Sequence, residues 1–263
     1  MELYQVIILS IVEGLTEFLP ISSTAHLILT SHMLSIPMSE FLSTFEIAIQ
    51  IGAIAAVAVV YYRKILESKA LFYKACIGFI PTGILGLLFF KHIKLLLNSS
   101  FVPVAALFIG GIVIIAIEIY FKSVAKSHKT EDNRLKTLDK LSYKDALLVG
   151  LIQSISMIPG VSRSAASIFG GMALKFDREA AVEFSFLLAI PTMAAATGLD
   201  IVKSAQAFTS TQVFDLILGI VVSFFVALLV IKWLLKYVQK NNFIGFGIYR
   251  IVLSIAYYLI FVK

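Results

Sequence analysis

The chain has 263 residues, of which 59% are apolar and only 14% are charged, and its mean hydropathy is +0.95. Soluble domains carry nearer a quarter charged residues, so the composition excludes an ordinary soluble enzyme and predicts an all-α polytopic membrane protein. The net charge of +6 fits loops that face an anionic leaflet, and we expect no nucleic-acid partner.

The first apolar segment is interrupted by polar residues and is predicted to form a re-entrant helical hairpin over residues 6–29. Glu13 and Glu17 are four positions apart, so they share one face of a helix. Pro20 ends that helix, because proline lacks a backbone N–H and clashes with the preceding turn.

A second short helix is predicted to start directly after this break. Ser22, Ser23 and Thr24 are suited to a helix start, and His26 could face Ser23 one turn later. A helix start binds anions, and carboxylates beside an anion need a bridging cation. The segment therefore predicts a metal-bound phosphate, with a polar helix interface in lipid as the alternative.

Long apolar runs follow, and most approach the roughly 20 residues that cross a bilayer. The first half, 1–121, contains runs at 45–61, 70–90 and 102–121, and a polar cytoplasmic linker is predicted at 122–144. The second half, 145–263, opens with another broken hairpin at 145–174 and continues with runs at 184–199, 213–235 and 244–262. The run at 184–199 is short and contains Pro191, so we expect it to tilt or to begin shallowly.

The two halves match in their hydropathy spacing. Pro20 and Pro159 are 139 positions apart (159 − 20), and the same offset pairs Ser23 with Ser162. Each half combines one re-entrant hairpin with three crossings, an odd number, so the second half begins on the opposite side of the membrane. This pattern predicts inverted repeats whose hairpins meet near the midplane.

The distribution of lysine and arginine predicts the orientation. One set of loops holds Lys91, Lys94, Lys203 and Lys263, whereas the opposite set holds most of the others, including Arg63, Lys64, Lys69, Lys122, Lys126, Lys129, Arg134, Lys136, Lys140, Lys144, Lys175, Arg178, Lys236 and Lys240. By the positive-inside rule the richer set is cytoplasmic. Both termini and the first hairpin then face outside, and the second hairpin enters from the cytoplasm.

The second break contains an arginine at predicted mid-membrane depth. Gly160 permits an unusual turn, and Ser162, Ser164 and Ser167 surround Arg163 with hydroxyls at a helix start. Burying Arg163 and two glutamates costs about 7–10 kcal/mol in insertion, which disfavours a purely structural scaffold. A salt bridge locking the two repeats is one explanation. A bound phosphate or diphosphate, gripped by the guanidinium fork, also explains the hydroxyls.

Other charged residues in the apolar runs are expected to have structural roles. Glu118 and Arg250 lie in the third span of each half, so we expect them to form an ion pair. Glu46 and Gln50 could face the site, although an interhelical hydrogen bond is the favoured expectation. Asp177 is predicted to cap the helix that follows it.

The two broken segments resemble the signature motifs of a known family. E-G-L-T-E-F-L-P-I-S-S-T-A-H-L and P-G-V-S-R-S are similar to the motifs of the bacterial undecaprenyl-diphosphatases of the bacitracin-resistance type. G-G-M-A-L, R-E-A-A-V-E-F-S-F-L-L-A-I-P and Y-R-I-V-L extend the resemblance over the whole chain. Two departures are Ala25 and Ala165, which stand where the family has glycine, and Ser167 stands where it has threonine. We expect these substitutions to alter the site without abolishing its activity.

The resemblance implies hydrolysis of undecaprenyl diphosphate to the monophosphate and inorganic phosphate, which recycles a cell-wall lipid carrier and confers bacitracin resistance. It assigns Glu13 and Glu17 to the carboxylate pair. It assigns Ser22, Ser23, Thr24 and His26 to a run of hydroxyl groups that ends in a histidine. It assigns Ser162 and Arg163 to a group that binds the phosphate. Gly160 and Ser164 are expected to bind substrate beside them.

The expected chemistry is phosphoryl transfer assisted by a divalent cation, Mg²⁺ or Ca²⁺, on Glu13 or Glu17. Ser23 is the favoured nucleophile with His26 or Glu17 as base; attack by His26 itself or by water stays open. The expected partners are a polyprenyl diphosphate lipid, the bilayer and, as an open alternative, a second copy in a homodimer. The competing function is a secondary transporter or lipid-phosphate flippase with the same midplane site.

Overall fold

A computed structural model describes residues 1–89, 92–93, 96, 101–127, 135–203 and 208–262. The expectations for Lys91, Lys94, Lys129, Arg134 and Lys263 lie outside these residues, as do those for the side chains of Lys126 and Lys203. The α-helices are α1 Leu3–Thr16, α2 Ser23–Met33, α3 Glu40–Glu67, α4 Lys69–Leu88, α5 Phe101–Ser127, α6 Tyr143–Gln153, α7 Arg163–Ala173, α8 Arg178–Lys203, α9 Ser210–Val238 and α10 Ile244–Tyr257.

Within the described residues, five helices are long and apolar enough to cross a membrane, namely α3, α4, α5, α8 and α9. Over the described residues the predicted apolar runs coincide with helices, although α4 ends at Leu88 within the run at 70–90, and α10 ends at Tyr257 and continues as a π-helix to Val262. The chain is an all-helical, multi-pass membrane protein. The α8 helix is longer than the run at 184–199 that predicted it. It begins at Arg178, because the Asp177 carboxylate accepts a hydrogen bond from Ala180 N at 2.7 Å and caps the helix as predicted.

Two serines with unusual backbone geometry begin the short helices after the breaks. Ser22 precedes α2 with φ of 72°, and Ser162 precedes α7 with φ of 78°. The two are 140 positions apart (162 − 22), and Ser35 and Lys175, also at positive φ, follow these helices at the same spacing. The backbone therefore pairs Ser22 with Ser162, one residue away from the pairing of Ser23 that the proline spacing predicts.

Helices from the two halves of the chain pack between one another. Helix α9 packs against α1 and α3, α10 against α5, and α6 against α4, while α8 contacts α3, α4 and α7. Glycines permit the closest crossings. A Cβ at Gly52 would lie 2.1 Å from Ile220 O, and one at Gly150 would lie 1.7 Å from Gly78 O. These crossings fix the first and second broken segments in one helical body.

Candidate active site

The two breaks are held together by Arg250, a fully buried residue on α10. Its Nη1 donates to the carbonyl oxygens of Pro20 at 3.1 Å and Val161 at 3.0 Å, and its Nη2 donates to Gly160 O at 2.8 Å. Two further bonds go to carbonyl oxygens of α5. One guanidinium thus satisfies backbone groups that the turns leave unpaired inside the protein.

The expected ion pair between Glu118 and Arg250 is wrong. Glu118 instead binds Arg178, with Nη2 and Oε2 2.6 Å apart, and also accepts a hydrogen bond from Phe243 N. Arg178 opens α8 and can reach Glu118, whereas the Arg250 guanidinium is fully used by carbonyl oxygens. Sequence reasoning missed this role of Arg250, because carbonyl acceptors leave no pattern in the side chains.

Glu17 lies where the two broken segments meet. Its Oε1 accepts a hydrogen bond from Arg163 Nη2 at 2.9 Å, and its Oε2 accepts one from Ser23 Oγ at 2.5 Å. Both carboxylate oxygens therefore have a charged or hydroxyl donor from a helix start. The arrangement can accept the Ser23 proton while the guanidinium compensates the negative charge.

The Arg163 side chain is enclosed, and one of its donors is unused. Nη1 donates to Ser185 O at 3.1 Å, and the guanidinium carbon lies 5.5 Å from the centre of the Phe18 ring. Nε is buried and has no hydrogen-bond partner among the described residues. A buried guanidinium with an unused N–H is suited to an anionic ligand, because such a group favours an acceptor.

His26 contacts neither Glu17 nor the Ser23 hydroxyl in the hydrogen bonds that its ring forms. Its Nδ1 lies 2.7 Å from Ser22 O, and its Nε2 lies 2.8 Å from the hydroxyl of Tyr249. A carbonyl oxygen only accepts, so the Nδ1 of His26 carries a proton and donates. The Tyr249 ring also stacks on the imidazole with centroids 5.6 Å apart.

The serines of the second break are bonded mainly to the protein itself. Ser162 Oγ accepts from Ala165 N at 3.2 Å and lies 3.0 Å from Ser164 Oγ. Ser164 is fully buried and donates to Leu19 O at 2.7 Å. Ser167 Oγ lies 2.6 Å from Ser185 Oγ. Ser164 therefore ties the second break to the first, and Ser167 ties α7 to α8.

A cavity of about 180 Å³ opens at the meeting point of the two breaks. It is lined by seven of the predicted site residues, namely Glu17, Ser22, Ser23, Thr24, Gly160, Ser162 and Arg163. Gln50, which the sequence allowed to face the site, also lines the cavity. The remaining lining residues were not singled out as site residues by the sequence, and they are Ser156, Pro159, Thr192, Met193 and Ala196. The other three predicted site residues, Glu13, His26 and Ser164, are buried and are not among the residues that line the cavity. Glu46 forms the expected interhelical hydrogen bond, accepting from Ser31 Oγ at 3.0 Å.

Glu13 is the candidate for holding a cation beside the cavity. It is fully buried, and neither of its carboxylate oxygens has a hydrogen-bond partner within the part of the chain that the structure describes. An unpaired buried carboxylate is costly, and a bound cation removes that cost. The described residues contain no cluster of three or more acidic, histidine or cysteine side chains that could hold a metal. Glu13 and Glu17 thus fit a cation that takes its remaining ligands from a phosphate.

The sequence has been compared with known protein families and with curated proteins. The family model described as bacitracin resistance protein BacA matches residues 6–256. The chain is 48% identical over 255 residues to a protein from Sulfurihydrogenibium sp. (strain YO3AOP1), covering 97% of this chain and 98% of the relative. That relative is named undecaprenyl-diphosphatase.

Two further relatives carry the same name. One, from Campylobacter jejuni subsp. jejuni serotype O:2, is 45% identical over 262 residues, covering 99% of this chain and 95% of the relative. Another, from Methanococcus aeolicus, is 44% identical over 263 residues and covers all of both chains. The similarity extends across both broken segments and the helices between them.

Proposed function

Since this chain belongs to the bacitracin resistance protein BacA family, we propose that it hydrolyses undecaprenyl diphosphate to undecaprenyl phosphate and inorganic phosphate. It is an integral-membrane phosphatase, and its activity recycles a cell-wall lipid carrier and confers resistance to bacitracin. The names of the relatives indicate the substrate, and the cavity at the two helix starts provides the chemical groups.

The observation that carries the proposal is the chain of contacts from Ser23 through Glu17 to Arg163. Hydrogen bonds of 2.5 Å and 2.9 Å join Ser23 to Glu17 and Glu17 to Arg163 at the wall of one cavity; we assign these three residues the roles of nucleophile, base and phosphate clamp. Phosphoryl transfer needs these three roles, because the reaction depends on positioning and on compensation of charge. A structural salt bridge alone would not require the hydroxyl.

In the proposed mechanism Ser23 Oγ attacks the terminal phosphorus as its proton passes to Glu17 Oε2. The bond from phosphorus to the bridging oxygen breaks, undecaprenyl phosphate leaves, and water then hydrolyses the phosphoserine. Arg163 and the backbone N–H groups at the starts of α2 and α7 hold the phosphate oxygens. The contacts favour Glu17 over His26 as the base, because both nitrogens of His26 are bonded elsewhere.

A divalent cation is proposed to be held by Glu13 and Glu17. Mg²⁺ or Ca²⁺ prefers carboxylate oxygens, and it supplies charge neutralisation to diphosphate oxygens when it is bound. Support comes from the unpaired, buried carboxylate of Glu13. The role of Glu13 in the protein itself is to present that carboxylate next to Glu17, one helical turn earlier on α1.

We propose that the repeats 1–121 and 145–263, joined by the linker 122–144, are inverted and that residues 6–29 and 145–174 are re-entrant hairpins. The matching spacing of the positive-φ residues around α2 and α7 supports this arrangement. The distribution of basic residues supports termini and an active site that face the outside of the bacterial plasma membrane. The lipid tail would then enter sideways between helices.

The test is release of phosphate by the protein purified in detergent. A soluble prenyl diphosphate is added with and without EDTA, and free phosphate is measured over time. We expect release that EDTA suppresses. Absence of release in both conditions would contradict the phosphatase and favour the transporter or flippase, which is then assayed as movement of labelled lipid phosphate across proteoliposomes.

A further inference from the structure

The backbone at Ser22 is strained, and its own side chain does not stabilise it. A φ of 72° is unfavourable for a residue other than glycine, and such conformations persist only where surrounding contacts enforce them. Ser162 has nearly the same geometry at the second break, where its Oγ caps α7 by accepting from Ala165 N. Ser22 has no such side-chain cap among the described residues, so contacts from other groups must stabilise its backbone conformation.

The side chain that holds Ser22 is His26, and its orientation depends on Tyr249. The Nδ1–H of His26 donates to Ser22 O at 2.7 Å, which leaves Nε2 as an acceptor. The Tyr249 hydroxyl lies 2.8 Å from Nε2 and is the donor to it. With the ring stacked at an interplanar angle of 10°, the imidazole is fixed in both orientation and tautomer.

We propose that Tyr249 is a positioning residue, which acts through His26 and the Ser22 carbonyl to keep the Ser23 hydroxyl against Glu17. The inference rests on the proposed phosphatase function. Ser23 directly follows Ser22, so relaxation of the strained φ rotates the Ser23 Oγ away from Glu17 Oε2. Tyr249 is not among the residues that line the cavity, and it therefore differs from the proposed nucleophile, base and clamp.

The location of Tyr249 fits this role better than a role in packing. Its side chain is 44% exposed, so its ring contributes little to the core. The next residue is Arg250, which holds the carbonyl oxygens of Pro20 and Gly160. Helix α10 thus presents two adjacent side chains to the breaks. Arg250 binds backbone carbonyl oxygens, and Tyr249 binds the imidazole of His26.

The first experiment replaces Tyr249 by phenylalanine, which keeps the stacking ring and removes the hydroxyl. We expect kcat to fall about five- to tenfold, the order of one lost hydrogen bond in a precise site, while KM for a prenyl diphosphate changes less than about twofold. Tyr73→Phe is the matched control, because Tyr73 is 57% exposed on α4 and does not line the cavity. Equal kcat in the Tyr249→Phe and wild-type proteins would overturn the proposal.

A second measurement separates positioning from a general structural effect. In a His26→Gln background, adding Tyr249→Phe should cause no further loss of kcat, because the hydroxyl acts through the imidazole. Additive losses would overturn the proposal. The unfolding temperature of Tyr249→Phe should stay close to that of the wild type.

A spectroscopic readout does not depend on phosphate release. In protein labelled with ¹⁵N-histidine, the resonances of His26, assigned by their loss in His26→Gln, should show the Nδ1–H tautomer in the wild type. In Tyr249→Phe they should shift toward a mixture of tautomers. A wild-type Nε2–H tautomer would overturn the proposal even if Tyr249→Phe failed to fold. Lack of phosphate release by the wild type would instead contradict only the phosphatase function.

Discussion

Arg163 Nη2 lies 2.9 Å from Glu17 Oε1, although 146 residues separate the two in the chain. The contact joins the end of α1 to the start of α7, so it brings a carboxylate from the first broken segment to a guanidinium from the second. Because the same Glu17 also accepts from Ser23, the ion pair and the candidate nucleophile share one carboxylate.

Replacement of Arg163 by lysine should lower kcat/KM at least about 100-fold while the protein still folds. Lysine keeps the charge but loses the planar fork that binds phosphate oxygens bidentately. The measurement is phosphate release together with the thermal unfolding midpoint in detergent. Arg63→Lys, at an exposed position on α3, is the control and should match the wild type. Near-normal turnover of Arg163→Lys would remove the fork from the mechanism.

Replacement of Ser23 by alanine should lower kcat about 1,000-fold or more, because the proposed nucleophile is lost. Rapid acid quench of the wild type with ³²P-labelled substrate should trap a phosphoserine at residue 23, identified by mass spectrometry. Ser43→Ala, at an exposed serine of α3, should leave both readouts unchanged. A rate of phosphate release in Ser23→Ala equal to that of the wild type would instead favour attack by water or by His26.

Replacement of Glu13 by glutamine should weaken activation by the cation without lowering the stability of the protein. The change replaces a buried carboxyl group that has no hydrogen-bond partner among the described residues, so the unfolding temperature should stay constant or rise. The Mg²⁺ or Ca²⁺ concentration needed for half-maximal rate should increase about tenfold or more, since a carboxylate ligand is lost. Titration of the metal after treatment with EDTA measures this. The exposed control Glu67→Gln should leave the cation concentration for half-maximal rate unchanged. The same result for Glu13→Gln would exclude Glu13 as a cation ligand.

Replacement of Arg250 by methionine should destabilise the whole protein. Methionine fills similar space but leaves buried carbonyl oxygens at Pro20, Gly160 and Val161 without donors. Each unsatisfied group costs about 1–3 kcal/mol, so a loss of at least 3 kcal/mol is expected. The measurement is the yield of monodisperse protein and its unfolding temperature. A folded, inactive variant of wild-type stability would show that Arg250 acts on substrate.

Replacement of Gly150 by alanine should test the crossing of α6 with α4. The added methyl group would lie 1.7 Å from Gly78 O, so the helices must separate, at a cost of about 1–3 kcal/mol. Gly198→Ala on α8 is the matched control, because a Cβ there meets no atom within 4 Å. We expect a lower unfolding temperature only for Gly150→Ala. Equal stability of the two variants would mean that the crossing adapts freely.

The sequence predicts the elements around the site well, because proline and serine act locally. Pro20 and Pro159 lie in the turns that follow α1 and α6, where proline prevents a helix from continuing, and the serines that follow suit helix starts. Hydropathy runs then locate the spanning helices. The convergence of Glu17 with Arg163 also follows from the sequence, since isolated charges in lipid are costly and must meet partners or ligands.

The residues that the sequence missed depend on tertiary contacts. Arg250 binds carbonyl oxygens, which every residue possesses, so no side-chain pattern reveals its partners. The ion pair of Glu118 with Arg178 depends on how α5 and α8 meet, and hydropathy does not encode this. The one-residue shift at Ser22 arises because proline marks where a helix ends, whereas the strained φ marks where the next begins.

The position of Arg250 in the chain has a consequence for biosynthesis. Pro20 is synthesised early and Gly160 later, yet Arg250, which donates to the carbonyl oxygens of both, is synthesised only with α10. A nascent protein that lacks this helix leaves these carbonyl oxygens without the donor that satisfies them in the folded protein. Competence for catalysis should therefore appear abruptly, once the last of these helices has been inserted by the translocon.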